Sequence, residues 1–256
     1  WAIGARGYNG GGLTDVGKVE IYKNGYLIKT IVGSTVDAQL GEVLAMDSTG
    51  QYVVYSGRGS SHQGVTIYDI TTDNSFFISS EGPVGSVDIV NTGSNLGVAF
   101  SIKSYKKVLV FEVPYDLDSH NQKGNTITET IDSFGKYAYS ISLAYNNGSY
   151  TLAVGASESK TVKVYTGNDW TSNYTLTDSN VNFFGHSVSL AKGDGNKLAI
   201  GGGNVAYVYD NQKRLQTFTT TWIAFCHMSD DGSRLYDEGY LGNDQSIEWY
   251  SICCRA

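Results

Sequence analysis

The sequence contains no run of 18 or more apolar residues, so no transmembrane helix is encoded in it. Its formal net charge of −7 argues against a broad nucleic-acid-binding surface. No Pro-rich or low-complexity stretch and no shift in composition marks a linker, so residues 1–256 read as one large all-β domain. The four histidines, His62, His120, His186 and His227, show no H-x-x-x-H or H-E-x-x-H spacing, which removes a local zinc motif. Gly10-Gly11-Gly12 and Gly201-Gly202-Gly203 lack the Lys-Ser/Thr of a phosphate loop, and no G-x-S-x-G elbow occurs. Cysteine is limited to Cys226, Cys253 and Cys254. Cys226, next to Phe225, reads as a small core residue, while Cys253 and Cys254 are either reduced thiols or partners for residues beyond position 256.

What the chain has is repetition. Phe184-Gly185-His186-Ser187-Val188-Ser189-Leu190 is followed by a turn at 192–196, then by Leu198-Ala199-Ile200-Gly201-Gly202 and Val205-Ala206-Tyr207-Val208-Tyr209. Related segments recur along the chain. The aromatics that close the third segment of each copy are Tyr22, Tyr68, Phe111, Tyr165, Tyr209 and Tyr250, at separations of 46, 43, 54, 44 and 41 residues. That spacing matches the roughly 40–50 residues of a β-propeller blade. The expected fold is therefore an all-β, six-bladed β-propeller, or a seven-bladed one if flanking residues are missing.

First strands are expected from Leu40-Gly41, Val84-Gly85, Phe134-Gly135, Phe184-Gly185 and Ile223-Ala224, each running into a Gly-, Asn- or Asp-rich hairpin turn. Third strands carry Val19-Glu20-Ile21, Val65-Thr66-Ile67, Val108-Leu109-Val110, Val162-Lys163-Val164, Val205 to Val208 and Ile247-Glu248-Trp249. More polar outer strands follow, at Leu27–Ile31, Phe76–Ile78, Thr128–Ile131, Tyr174–Thr177 and Leu215–Phe218. The first copy lacks an innermost strand and the last an outermost one, so both terminal blades are expected to be incomplete and the chain to be part of a longer polypeptide. Residues 114–125 read as a polar surface insertion in the third copy. An innermost and a third strand lie about 9–10 Å apart, which disfavours a disulfide from Cys226 to a third-strand cysteine.

The repeat resembles the FG-GAP class of propeller repeats, with a WD-repeat flavour in its turns. The residues that carry this are Phe134-Gly135 and Phe184-Gly185, Ala2-Ile3-Gly4-Ala5 and Ala153-Val154-Gly155-Ala156, the Val-x-Val-Tyr third strands, and Tyr68-Asp69 and Tyr209-Asp210 in the place of the WD dipeptide. The resemblance implies calcium in acidic D-x-D-x-D-G-like loops. This chain departs from that pattern, because Asp194 stands nearly alone and Asp230-Asp231-Gly232 is an ordinary turn. No metal and no cofactor is expected.

The leading functional expectation is a non-catalytic interaction scaffold of an extracellular or surface-exposed assembly, binding proteins or glycans, with no nucleic acid and no membrane span. Its binding face is expected where second-to-third-strand loops meet the loops leading into the next first strand. Those loops carry Arg6 and Tyr8 (6–16), Arg58 and His62 (57–64), and Lys103, Tyr105 and Lys106, cations and aromatics on an acidic protein that favour an acidic or glycan-bearing partner. Asn147-Gly148-Ser149 and Asn173-Tyr174-Thr175 are glycosylation sequons. One rival is a hydrolase or lyase with Asp88, His186 and His227 at a channel mouth. Another is a carbohydrate-binding module that stacks sugars on Tyr8, Tyr105 and Trp170.

Overall fold

The computed structural model describes residues 1–59, 63–128, 140–170, 172–193, 195–219, 225–238 and 254–255. His62, Phe134-Gly135, Asp194, Ile223-Ala224, Ile247 to Tyr250 and Cys253 lie outside these residues. The chain separates into two compact units, Trp1–Gln122 and Lys123–Ala256. No α-helix occurs among the described residues; a single 3-10 turn spans Lys103–Tyr105.

In the first unit, sheet 1 contains β1 (Ala2–Ala5), β2 (Lys18–Lys23) and β3 (Tyr26–Val32). Sheet 2 contains β4 (Val43–Met46), β5 (Tyr52–Ser56), β6 (Gly64–Asp69) and β7 (Ser75–Ser79). Sheet 3 contains β8 (Val84–Asn91), β9 (Asn95–Ile102), β10 (Lys107–Pro114) and β11 (Asn121–Gln122). The second unit begins with the short β12 (Ile127–Thr128). Sheet 4 follows with β13 (Ser140–Asn146), β14 (Ser149–Ala156), β15 (Thr161–Thr166) and β16 (Ser172–Thr177). Sheet 5 contains β17 (Ser187–Leu190), β18 (Lys197–Gly202), β19 (Val205–Asp210) and β20 (Lys213–Thr219). Sheet 6 contains β21 (Phe225–Met228), β22 (Arg234–Glu238) and β23 (Cys254–Arg255). Within these sheets, consecutive strands pair antiparallel, as sequential hairpins dictate.

The hairpins form where the turn residues allow them. Asn147 (φ 49°) and Gly148 (φ 81°) both occupy the left-handed region, the requirement of a type I′ turn, between β13 and β14. The turn before β5 is held by Asp47, whose buried carboxylate accepts from the N–H groups of Gln51 (3.0 Å) and Tyr52 (2.8 Å).

Within each unit, successive sheets bury apolar residues against one another. Val19 and Ile21 of β2 pack with Val53 and Tyr55 of β5, while Val54, Val65 and Ile67 of sheet 2 pack with Ile89, Val98 and Phe100 of sheet 3. In the second unit Val162 and Val164 meet Leu190, Leu198 and Tyr207. A strand between two neighbours is covered on both faces, and β5 is accordingly buried at every position. The outer β3 and β20 have no buried residue, only exposed and half-buried ones. Each fully buried Leu, Ile or Phe contributes roughly 1.5–3 kcal/mol of hydrophobic stabilisation.

Two expectations need correction. Leu40-Gly41 and Phe184-Gly185 do not begin first strands but precede β4 and β17. The reason is backbone conformation: Gly41 (φ 83°) and Gly185 (φ 84°) are left-handed, which a strand interior does not permit. Residues 114–125 are also not a purely solvated insertion. Leu117 is buried, Tyr115 stacks on Tyr52 at 5.8 Å and donates its hydroxyl to Asn91 Oδ1 at 2.5 Å, and β11 pairs with β10 in the outer-strand position.

A feature absent from the sequence-based expectations links the innermost strands of the second unit. Ser142 Oγ accepts from the Leu190 N–H (3.0 Å), Ser187 Oγ from the Cys226 N–H (3.0 Å), and Ser189 Oγ from the Met228 N–H (2.9 Å). These hydroxyls satisfy backbone donors at the edge of each sheet that no further strand pairs. The repeated Ser-x-Ser-Leu-Ala of residues 140–144 and 187–191 was the available signal.

Candidate functional site

The expected binding face contains a cleft in the first unit, and its origin lies in how adjacent sheets meet. The partners of the residue three before each third-strand aromatic are Gly4, Ser56, Ser101, Gly155 and Gly201. At Gly4 an added Cβ would lie 2.2 Å from the Gly41 carbonyl oxygen, and at Gly155 it would lie 2.0 Å from that of Gly185. Bare backbone therefore meets bare backbone where sheet 2 follows sheet 1 and where sheet 5 follows sheet 4. Where sheet 3 follows sheet 2, the same position is Ser56, buried, with Oγ donating to the Gly57 carbonyl at 2.9 Å. Its Cβ does not fit the closed arrangement. The lead-in to β8 is correspondingly short, residues 80–83, and Gly85 is skipped in the pairing register of β8 with β9, a β-bulge.

A cleft of about 200 Å³ opens there, lined by Glu42, Arg58, Pro83, Val84, Gly85 and Ser104. Arg58 extends from a backbone anchored by hydrogen bonds from its own N–H (2.9 Å) and that of Gly59 (3.2 Å) to the Ala38 carbonyl. Its side chain is exposed and forms no ion pair among the described residues. Glu42 is engaged, because Arg6 Nη1 donates to both of its carboxylate oxygens (3.0 and 2.8 Å). That hydrogen bond and the Glu42 charge raise the Arg6 pKa above its ordinary value. Ser104 comes from the 3-10 turn and presents an exposed hydroxyl side chain.

The structure thus places Arg58 in the lining of the cleft and pairs Arg6 with Glu42 of the same lining. Lys103 and Tyr105 flank Ser104 in the turn. Tyr105 is exposed, with the Lys107 ammonium 5.5 Å from its ring centroid and Lys107 paired to Glu81 at 2.8 Å. Lys106 adopts a left-handed backbone (φ 51°). Tyr8 belongs to a separate cluster on sheet 1: Lys18 Nζ is 4.7 Å from its ring centroid and 2.5 Å from Glu20 Oε1. The Tyr22 hydroxyl donates to Glu20 Oε2 at 3.1 Å. Hydrogen bonding to Lys18 lowers the Glu20 pKa, and the reciprocal bond raises that of Lys18. Glu42, Gly85 and Ser104 were not among the expected site residues; the Ser56 break in the glycine series was the signal that could have found them.

The rival sites fare differently. Trp170 is a buried residue, not an exposed sugar platform: its Nε1 donates to the Lys123 carbonyl at 2.6 Å and its ring contacts Tyr150 at 6.0 Å. Packing claims it because the ring fills space over Gly124, whose missing Cβ would lie 2.6 Å from Trp170 Cδ1. Asp88 is buried on β8 and accepts from the Ile89 N–H at 2.8 Å. His227 is exposed on β21, and the half-buried His186 precedes β17. Among the described residues no group of three or more His, Cys, Asp or Glu side chains is placed to hold a metal ion. Asn147 is exposed at its hairpin tip, Asn173 is on β16, and Cys226 is buried on β21.

Neither a protein-family profile nor a curated relative matches the sequence. Solved structures do match in fold. A protein from Lactobacillus plantarum aligns over 99% of this chain and 81% of its own at 14% identity, TM-score 0.61. The β-propeller domain of Myceliophteria thermophila Cps50 (Swd1) aligns over 89% and 88% at 11% identity, TM-score 0.52. A putative 6-phosphogluconolactonase from Bacteroides uniformis aligns over 98% and 81% at 12% identity, TM-score 0.55. With its succession of antiparallel sheets, the chain is a β-propeller repeat protein.

Proposed function

We propose that this propeller is a non-catalytic interaction scaffold, one domain across residues 1–256, and that the loop face around Arg58 engages an acidic protein partner. The observation that carries the reading is the cleft itself: an exposed, unneutralised guanidinium beside a carboxylate already engaged by Arg6. The Swd1 β-propeller domain shares the fold. A rigid sheet framework that presents loops suits this role.

The FG-GAP-like character of the repeat is supported by the contacts of Gly4 with Gly41 and of Gly155 with Gly185, which give its paired glycines a physical task. The proposed setting is extracellular or surface-exposed, a route that the sequon at the exposed Asn147 permits. Substituting Arg6, Arg58 and Lys106 together by Ala is expected to weaken capture of the native partner assembly while leaving the melting temperature nearly unchanged. Undiminished capture would remove this face. A second reading, a hydrolase working through the exposed His227, draws on the lactonase-like neighbour. Lactone turnover by the wild type that is lost in His227→Ala would favour it.

A further inference from the structure

Resting on the scaffold reading, we propose that the cleft between Arg58 and Ser104 receives a single carboxylate of an acidic peptide. The six lining residues define the ligand by what each offers. Arg58 supplies a planar, permanently charged fork suited to the two oxygens of a carboxylate. Ser104 adds a hydroxyl, and Gly85, bulged out of the β8 and β9 register, brings backbone close to the ligand without a side chain in the way. Pro83 and Val84 form an apolar wall for the methylenes or neighbouring residue that carry the acid. Glu42 would repel an anion, but both of its oxygens accept from Arg6, so the charge left without an ion-pair partner at the cleft is that of Arg58.

Size and lining choose among anions. A cleft of about 200 Å³ accommodates a side chain, not a polymer. Its lining contains no aromatic residue, so a sugar acid would have no ring to stack on. One cation in the cleft lining, on a chain of net charge −7, does not build a polyanion track. Of these anions, one carboxylate on a peptide, from an Asp or Glu side chain or from a chain end, suits the cleft.

The test is a titration of the full chain, followed by backbone amide NMR and calorimetry. One arm uses an acetylated and amidated hexapeptide with one central Glu, a second the same peptide with Gln, and a third a Gln peptide with a free C-terminal carboxylate. A glucuronate disaccharide is the fourth. The Glu peptide is expected to shift the Arg58, Gly85 and Ser104 signals, and the Gln peptide to leave them unmoved. Binding in the third arm instead assigns the carboxylate to a chain end. Arg58→Gln should lower affinity by about tenfold and Arg58→Lys by less, because an ammonium cannot reproduce the fork. Ser104→Ala provides a second variant, and an unchanged melting temperature confirms folding in each. Equal binding of the Glu and Gln peptides, preference for the disaccharide, or no shift at these three residues would overturn the proposal. Those results leave the scaffold reading standing, since that reading is tested by loss of partner capture in the triple variant.

Discussion

Two places where one sheet follows another in this chain are built from the same parts and a third is not. Gly4 against Gly41 in the first unit and Gly155 against Gly185 in the second bring backbone to backbone, with the preceding Leu40 and Phe184 buried beside them. Ser56 and the bulged Gly85 break the arrangement, and the cleft lined by Arg58 lies at the break. Close packing and cleft formation thus depend on the same structural position: where the glycine pair is kept the contact is closed, and where it is lost side chains from four loops have room to converge.

The largest effect is expected at Gly155. Gly155→Ser should destabilise the chain by about 3 kcal/mol, the upper part of the usual overpacking range, because its Cβ and the Gly185 carbonyl compete for one space. A chemical denaturation curve reads the effect, and a loss no greater than that of Ser56→Gly would show that the closed and open arrangements do not differ as described.

The two dipeptides in the WD-like place differ in a parallel way. Asp69 is buried and accepts from the Thr71 N–H (2.7 Å), Thr71 Oγ1 (2.7 Å) and Thr72 Oγ1 (3.0 Å), whereas Asp210 is half-buried and accepts from Asn211 Nδ2 at 3.0 Å. Burial alone would raise the Asp69 pKa, but the hydrogen bonds from Thr71, Thr72 and Gln51 together hold it below the ordinary carboxylate value. Its folded-state pKa is thus lower than the unfolded value of about 3.9, so its stabilisation is complete above that pH and is lost as pH falls through the folded value. Asp69→Asn should cost about 1–3 kcal/mol at neutral pH and flatten the acid limb of the stability curve. Asp210→Asn should stay within about 0.5 kcal/mol. Equal effects at the two sites, measured by melting from pH 7 to pH 3, would erase the distinction.

Smaller effects sharpen the contrast. Ser56→Gly should cost roughly 0.5–1 kcal/mol, the entropy of a glycine within a strand, since the open arrangement does not need the missing Cβ. The residues before Leu40 and Phe184 are Gln39 (φ 49°) and Phe183 (φ 59°), both left-handed, and Phe183 is also exposed. A bulky aromatic is a poor occupant of that conformation, so Phe183→Asn should raise stability by up to about 1 kcal/mol. A fall in melting temperature would show that the Phe183 ring contributes more packing than its exposure suggests.

Strand order, hairpin positions and most of the core were legible in the residues themselves, because a two-residue alternation and a Gly- or Asn-bearing turn act over a few neighbours. Val19, Val65, Val108 and Val162 could be assigned to buried strands without coordinates, and each is fully buried. Contacts between residues distant in sequence were not legible in this way: that Arg6 engages Glu42, that Trp170 is buried over Gly124, and that Arg58, Gly85 and Ser104 line one cleft. Local periodicity states which face a side chain takes; the room left on that face depends on the backbone of the next sheet, and a single Cβ, present at Ser56 and absent at Gly4 and Gly155, sets it.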